Sequence, residues 1–346
     1  MWKPKLPSWL RRQPSVPRAP RSRRHTLIRV GTGAAAAVVI FLLGLGWYWS
    51  REPGIFWVNQ TDVRGHPTVV GYATVDTLIQ EIDFLLDKPG GYLSNDVMPP
   101  GVWLDNMPNF EFGVLVQCRD LARVLRNDYS RSQSQSTEDP DLAVAEPALN
   151  FTNDSWIFPT SESKYREARA ALMRYQMRLI DDNDADAQFF ARADNLREWL
   201  AVVERRLGSL SQRLAASVGQ ERVNTDLAGD PSGEAARSVA GDVTVQTPWL
   251  QIDDVFYEAR GTAWALLHFM RAAQFDFQRV LEDKNAVVSI RQIIRELEEG
   301  LAPVTSPMIL NGHGYGVFAN HSLVLASYLS RAHSAVTDLR ELLEQG

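Results

Sequence analysis

The stretch Phe189–Leu214, FFARADNLREWLAVVERRLGSLSQRL, decides the fold class. Its apolar residues Phe189, Ala193, Leu196, Leu200, Val203, Leu207, Leu210 and Leu214 step by fours and threes without a break. That is the knobs-into-holes repeat of packed helices, and the intervening Glu, Arg, Asp and Gln suit a solvated face. The same rule holds upstream at Tyr165, Ala168, Leu172, Tyr175 and Leu179. It returns at Leu325, Leu329, Ala332, Val336, Leu339 and Leu343, and at Val287, Ile290, Ile294, Leu297 and Leu301. A fifth seam runs from Val255 through Ala259, Thr262, Leu266, Phe269 and Ala273 and loses the rule at Asp276. Ser161 with Glu162 marks one helix start, and Asn320 or Ser322 another. The short connections 181–186 and 282–285 predict antiparallel neighbours. Strand signals are sparse, at Phe56–Val58 and Val243–Gln246. The expected fold is mainly α, an antiparallel helical bundle over residues 51–346.

Three stretches interrupt it. Lys88–Asn109, KPGGYLSNDVMPPGVWLDNMPN, reads as a long ordered loop. Gly219–Pro248 is polar and acidic and reads as a flexible insertion. Leu310–Asn320, LNGHGYGVFAN, is a Gly-rich turn before the last helix. No internal repeat of fixed period is visible.

Before the bundle, Val30–Ser50 reads VGTGAAAAVVIFLLGLGWYWS and carries no charge. It is long enough to cross about 30 Å of hydrocarbon as a helix. Residues 1–50 hold nine Lys or Arg and no acid, with Arg29 at one end of the run and Trp47, Tyr48 and Trp49 at the other. Positive charge stays cytoplasmic and aromatic rings settle at the interface, so the tail is expected inside and the body outside. A cleaved signal peptide would have a shorter apolar core ending in small residues. Here the alanines precede the most apolar part. Gly31, Gly33, Ala35 and Ala37 set small residues four apart, a face on which the chain could pair with a second copy as a homo-oligomer. The Pro- and Arg-rich tail, residues 1–29, is expected to be disordered and to touch anionic lipid.

The whole chain has 36 basic and 42 acidic residues, so the part after residue 50 has 27 basic against the same 42 acidic, a net of −15. An acidic body excludes nucleic-acid binding, which needs a positive surface. A single cysteine, Cys118, excludes an intrachain disulfide.

Three segments together carry a resemblance. They are KPGGYLSNDVMPPGVWLDNMPNFEFGVLVQCRDLARVLRNDYSRSQSQSTEDPDL (88–142), FFARADNLREWLAVVERRLGSLSQRLAASVGQ (189–220) and NGHGYGVFANHS (311–322). The chain resembles the DUF2333 family of proteobacterial proteins over nearly all of its length after the apolar run. The resemblance implies a Gram-negative bacterium and a periplasmic body. It implies no activity, and no catalytic residue is carried over from it.

Residues that could carry chemistry are few. Asp182, Asp184 and Asp186 have the spacing of a calcium loop, but Ala187 and Ala193 stand where glycine and a late acid are needed. His313 and His321 bracket the Gly-rich turn without further zinc ligands, and GHGYG lacks the lysine of a phosphate loop. Asp96, Trp103, Asp105, Asn106, Asn109 and Glu111 cluster in or beside the long loop, where two carboxylates could do acid–base work if one were buried. Cys118 continues the face of Val114, Leu115, Leu121 and Leu125 and reads as core. No G-x-S-x-G occurs. The expected site is therefore a partner or ligand surface made by Trp103, Asp105, Asn106, Asn109, Glu111, His313, Tyr315 and His321, with no catalytic set, cofactor or metal. The expected role is an inner-membrane-anchored interaction or scaffold protein that contacts lipid and other envelope proteins. The alternatives are an envelope hydrolase using the Asp96–Glu111 loop and a ligand-sensing ectodomain.

Overall fold

The computed structural model describes residues 23–59, 61, 69–132, 136–181, 187–223, 242–306, 308–313 and 316–345. Asp182, Asp184, Asp186, Tyr315 and most of the basic tail lie outside them. The chain forms two compact units, Met1–Leu45 and Gly46–Gly346. The first unit holds most of helix α1 (Arg23–Trp49). Within α1, the 23 residues Leu27–Trp49 contain an 18-residue window of mean hydropathy 2.0 and are long and apolar enough to cross a membrane.

The second unit is a helical bundle. Its helices are α2 (Tyr72–Asp87), α3 (Asn106–Val124), α4 (Leu142–Leu149), α5 (Ser161–Leu179), α6 (Ala193–Ala215), α7 (Ile252–Asp276), α8 (Gln278–Asp283), α9 (Val287–Gly300) and α10 (His321–Glu344). Three of them form the inner layer. Every residue of α7 from Ala259 to Met270 is buried, and α2 and α3 are buried on most sides. α3 and α7 run parallel and nearly touch. A Cβ on Gly113 would collide with the Glu258 carbonyl and the Thr262 amide, and one on Gly261 with the Phe110 carbonyl. Only glycine allows two backbones this close.

The outer helices have one apolar stripe each, as their seams predict. α5 lies antiparallel on α2, tied by Arg169 Nη2 to Asp83 (3.1 Å) and Gln176 to Asp76 (3.1 Å). α6 and α10 are antiparallel, with Thr337 donating to Glu204 (2.6 Å). α9 lies antiparallel on α10 through Arg331 and Glu296 (2.7 Å). The short connection at 181–186 does not make α5 and α6 principal partners. α5 lies on α2 and α4, and α6 on α10, because each stripe is completed by a different inner or outer neighbour. Asn320 caps α10, accepting from the Leu323 amide at 2.9 Å, and Thr160 rather than Ser161 caps α5. Asp276 ends α7 and caps α2 from across the bundle, accepting from the amides of Gly71 (2.9 Å) and Thr74 (2.7 Å). Of the Gly219–Pro248 insertion, the described part includes an antiparallel pair, β1 (Gln220–Val223) with β2 (Asp242–Val245).

These directions gather the described residues of the connections 88–105, 150–160, 216–251 and 301–320 at one end of the bundle. The last turn of α1 belongs to the second unit and packs at this same end. A Cβ on Gly46 would lie 3.4 Å from Pro100 Cβ and 3.6 Å from Leu104 Cδ2.

Candidate functional site

The chain leaving α1 does not hang free. It runs as an extended strap over one stripe of α7, whose residues Arg260, Trp264, His268 and Arg271 recur every four or three positions and so face the same way. The Arg260 guanidinium, almost wholly buried, pairs with Glu52 in a two-pronged contact of 2.8 and 2.5 Å. It also donates to the carbonyls of Gly300 (3.3 Å) and Ala302 (3.1 Å), which end α9. Trp264 Nε1–H donates to the Gly54 carbonyl at 3.3 Å. The Phe56 amide donates to His268 Nε2 at 3.1 Å, and the Phe56 ring stacks on the imidazole with centroids 3.7 Å apart. Arg271 donates to the Phe56 carbonyl at 3.3 Å and lies over the Trp57 ring. Beyond Trp57 the strap borders an open cleft of about 470 Å³ that also takes in Arg271, Phe275, Arg291 and Glu298.

Beneath the strap, His268, Glu81 and Cys118 meet with no exposure to solvent. Burial, reinforced by the charge of Arg271, pushes His268 down to about 3, so the imidazole is neutral and its Nε2 is free to accept from Phe56. Burial raises the Glu81 carboxyl well above the carboxylate range. The Cys118 thiol donates to Glu81 Oε2 at 3.6 Å and is itself raised by burial. His268 Nδ1 stands 3.7 Å from Glu81 Oε1, beyond hydrogen-bond reach. A neutral thiol sealed from solvent is no nucleophile. This set fixes the strap and gives the core a titratable group.

The long loop is organised by Glu111. Its buried carboxylate accepts from the amides of Leu93 (2.9 Å) and Ser94 (2.9 Å) and from the Ser94 hydroxyl (2.6 Å), and it pairs with buried Lys88. Burial raises its pKa, and Lys88 is the strongest opposing influence. Asn95 donates to the Ser155 carbonyl (2.8 Å) and to Glu162 (2.9 Å), binding this loop to the α4–α5 connection. Asp105 caps α3 by accepting from the Asn106 amide at 2.9 Å. Asn109 donates to Asp254 at the start of α7 (2.7 Å). Trp103 is exposed, whereas Met107 and Phe110 are buried plugs. On the other loop, His321 Nδ1 accepts from the Leu310 amide at 3.1 Å, and its ring lies 6.4 Å from Phe256. His313 is exposed. The two loops thus flank the first turns of α7. Burial and the neighbouring Asp253 and Asp105 raise Asp254 there. Among the described residues no group of His, Cys, Asp and Glu is disposed to hold a metal.

A family model described as an uncharacterized protein conserved in bacteria, DUF2333, matches residues 22–346. The chain belongs to this family. No curated protein and no solved structure matches it. The match covers the strap, both loops and all helices of the bundle, so this DUF2333 chain holds the whole arrangement within its family region.

The sequence pointed to the loops of this DUF2333 protein and missed the strap. Phe56–Val58 reads as a short apolar patch, and Arg260 and His268 sit inside a seam whose apolar members draw the eye. The available signal was a buried-looking helix with Arg, Trp, His and Arg at four- and three-residue intervals.

Proposed function

We propose that this DUF2333 protein is a bitopic inner-membrane protein of the Gram-negative envelope. In this reading the N-terminal tail is cytoplasmic, α1 spans the membrane, and the bundle stands in the periplasm as an interaction or scaffold module. One observation carries the reading. A helix apolar enough to cross a membrane has its last turn packed into the bundle at Gly46, and the next residues are clamped to α7 by Glu52 and Arg260. A bundle that takes in the last turn of this helix and the strap after it is suited to presenting surfaces close to the membrane, as a scaffold does. The loop carboxylates speak against the hydrolase reading, since Glu111 is consumed by Lys88 and three donors and Asp105 by its cap. A photo-crosslinking residue placed at exposed positions of the full-length protein in cells tests this. Discrete adducts with envelope proteins support a scaffold; a library of positions giving none sinks it.

A further inference from the structure

The end of the bundle that holds the last turn of α1 differs from the opposite end in one respect. All four of its connections carry an exposed aromatic ring. Trp103 is 55% exposed, Phe158 96%, Trp249 77% and Phe318 72%. Of the opposite connections, 125–141, 180–192 and 277–286 show no exposed large apolar side chain among their described residues, while the chain entering α2 exposes Val69 and Val70, and Trp57 of the strap is exposed beside Gln278 and Glu282. Scattered exposed apolar residues are ordinary on a soluble protein; an exposed ring on every connection of one end is not.

The loops that carry the rings are tied to one another and to Gly46 in the last turn of α1. Pro100 and Leu104 pack against Gly46, next to exposed Trp47. Asn95 bonds to Ser155 and so joins the Trp103 loop to the Phe158 loop. Asn109 bonds to Asp254, which joins the same loop to the turn bearing Trp249. Asn311 donates to the Ser217 carbonyl at 2.7 Å and ties the Phe318 loop to the end of α6. Trp47 and Tyr48 are the aromatic belt of the apolar helix, and such rings lie at the level of the lipid headgroups. A loop packed one residue from that belt is therefore at the same level.

We propose that the Trp103, Phe158, Trp249 and Phe318 loops dip into the headgroup region of the membrane that α1 crosses, so that the bundle sits on the bilayer on four aromatic feet. This rests on the reading that α1 spans the membrane. Lipid is the occupant because the Trp103 loop packs on Gly46, in the last turn of an apolar helix, beside exposed Trp47 and Tyr48. Aromatic rings also favour the wet–apolar boundary.

The test uses the full chain in vesicles of phosphatidylethanolamine and phosphatidylglycerol. Nitroxides are placed singly through M98C, F158C, L250C and F318C, with V38C in α1 and D283C at the opposite end as references. The native Cys118 is buried and stays unlabelled. Collision with dioxygen, which concentrates in lipid, is compared with collision with a water-soluble nickel chelate. The expected result is that the loop sites favour dioxygen, as Val38 does, while Asp283 favours nickel. If Val38 favours dioxygen and the loops favour nickel, the anchor stands and the lipid contact is refuted. Loop sites shielded from both agents would mean a protein partner, or a second copy, covers this end in place of lipid. A water-accessible Val38 would overturn the anchor reading and this inference together.

Discussion

Replacing Gly261 by alanine sets two effects of known size against each other. Alanine is the better helix former, by about 1 kcal/mol over glycine in a helix interior. Its Cβ, however, would collide with the Phe110 carbonyl of α3. That obstacle is backbone, so no side-chain rotation relieves it, and the parallel crossing of α3 and α7 must widen. Overpacking of this kind costs typically about 1–3 kcal/mol, and a rigid backbone obstacle belongs at the upper end. The net expectation is a loss of about 1–2 kcal/mol. For a domain of this size that is a melting temperature lower by about 2–8 °C. Gly113→Ala should behave alike, since its Cβ meets the Glu258 carbonyl and the Thr262 amide at the same crossing. One widening accommodates both methyls, so the double variant should lose less than the sum of the singles. Thermal unfolding of the full chain in detergent, followed by far-ultraviolet circular dichroism, reads both quantities. An unchanged or raised melting temperature for Gly261→Ala would refute the close crossing.

Three further outcomes follow from the geometry. Glu81 has a folded-state pKa raised by burial, so its contribution to stability is complete below the unfolded value near 4.5 and is lost as pH rises through the folded value. Glu81→Gln should therefore flatten the decline of the urea midpoint toward alkaline pH, and an unaltered slope would remove Glu81 as its source. Lys88→Met strips Glu111 of its buried counter-charge and should cost about 3–5 kcal/mol, measured by urea unfolding; a loss under about 1 kcal/mol would mean the three donors suffice alone. Trp103→Ala should leave the melting curve within about 0.5 kcal/mol of native because the ring is exposed, while a loss near that of a buried tryptophan would show that it plugs the bundle.

The outer helices were legible because each has one buried stripe, and α5, α6, α9 and α10 appear where their seams lie. The inner helices were harder. α2 hides Thr74, Thr77 and Glu81 along with its apolar residues, so no polar face marks its period. α3 begins inside what reads as a loop, since Pro108, Asn109 and Gly113 weaken its propensity, and its place is secured by the contact with α7. The long loop stands out in the sequence by its glycines, prolines and aromatics. The division of its aromatics was not legible there, because Met107 and Phe110 turn inward while Trp103 turns out only once the bundle is assembled. Glu111 looked like a site carboxylate and is a buried brace, a distinction set by Lys88, 23 positions upstream and beyond any helical spacing rule. The strap is tertiary in origin, with its partners more than 200 positions away along the chain.

The proposed topology puts the bundle on the periplasmic side of the inner membrane. Alkaline phosphatase, active only after export, and a green fluorescent protein that matures only in the cytoplasm can each be fused after Gly346 of the full chain. The phosphatase fusion should be active and the fluorescent fusion dark. A dark phosphatase with a bright fluorescent fusion would put the bundle in the cytoplasm and overturn the proposed topology.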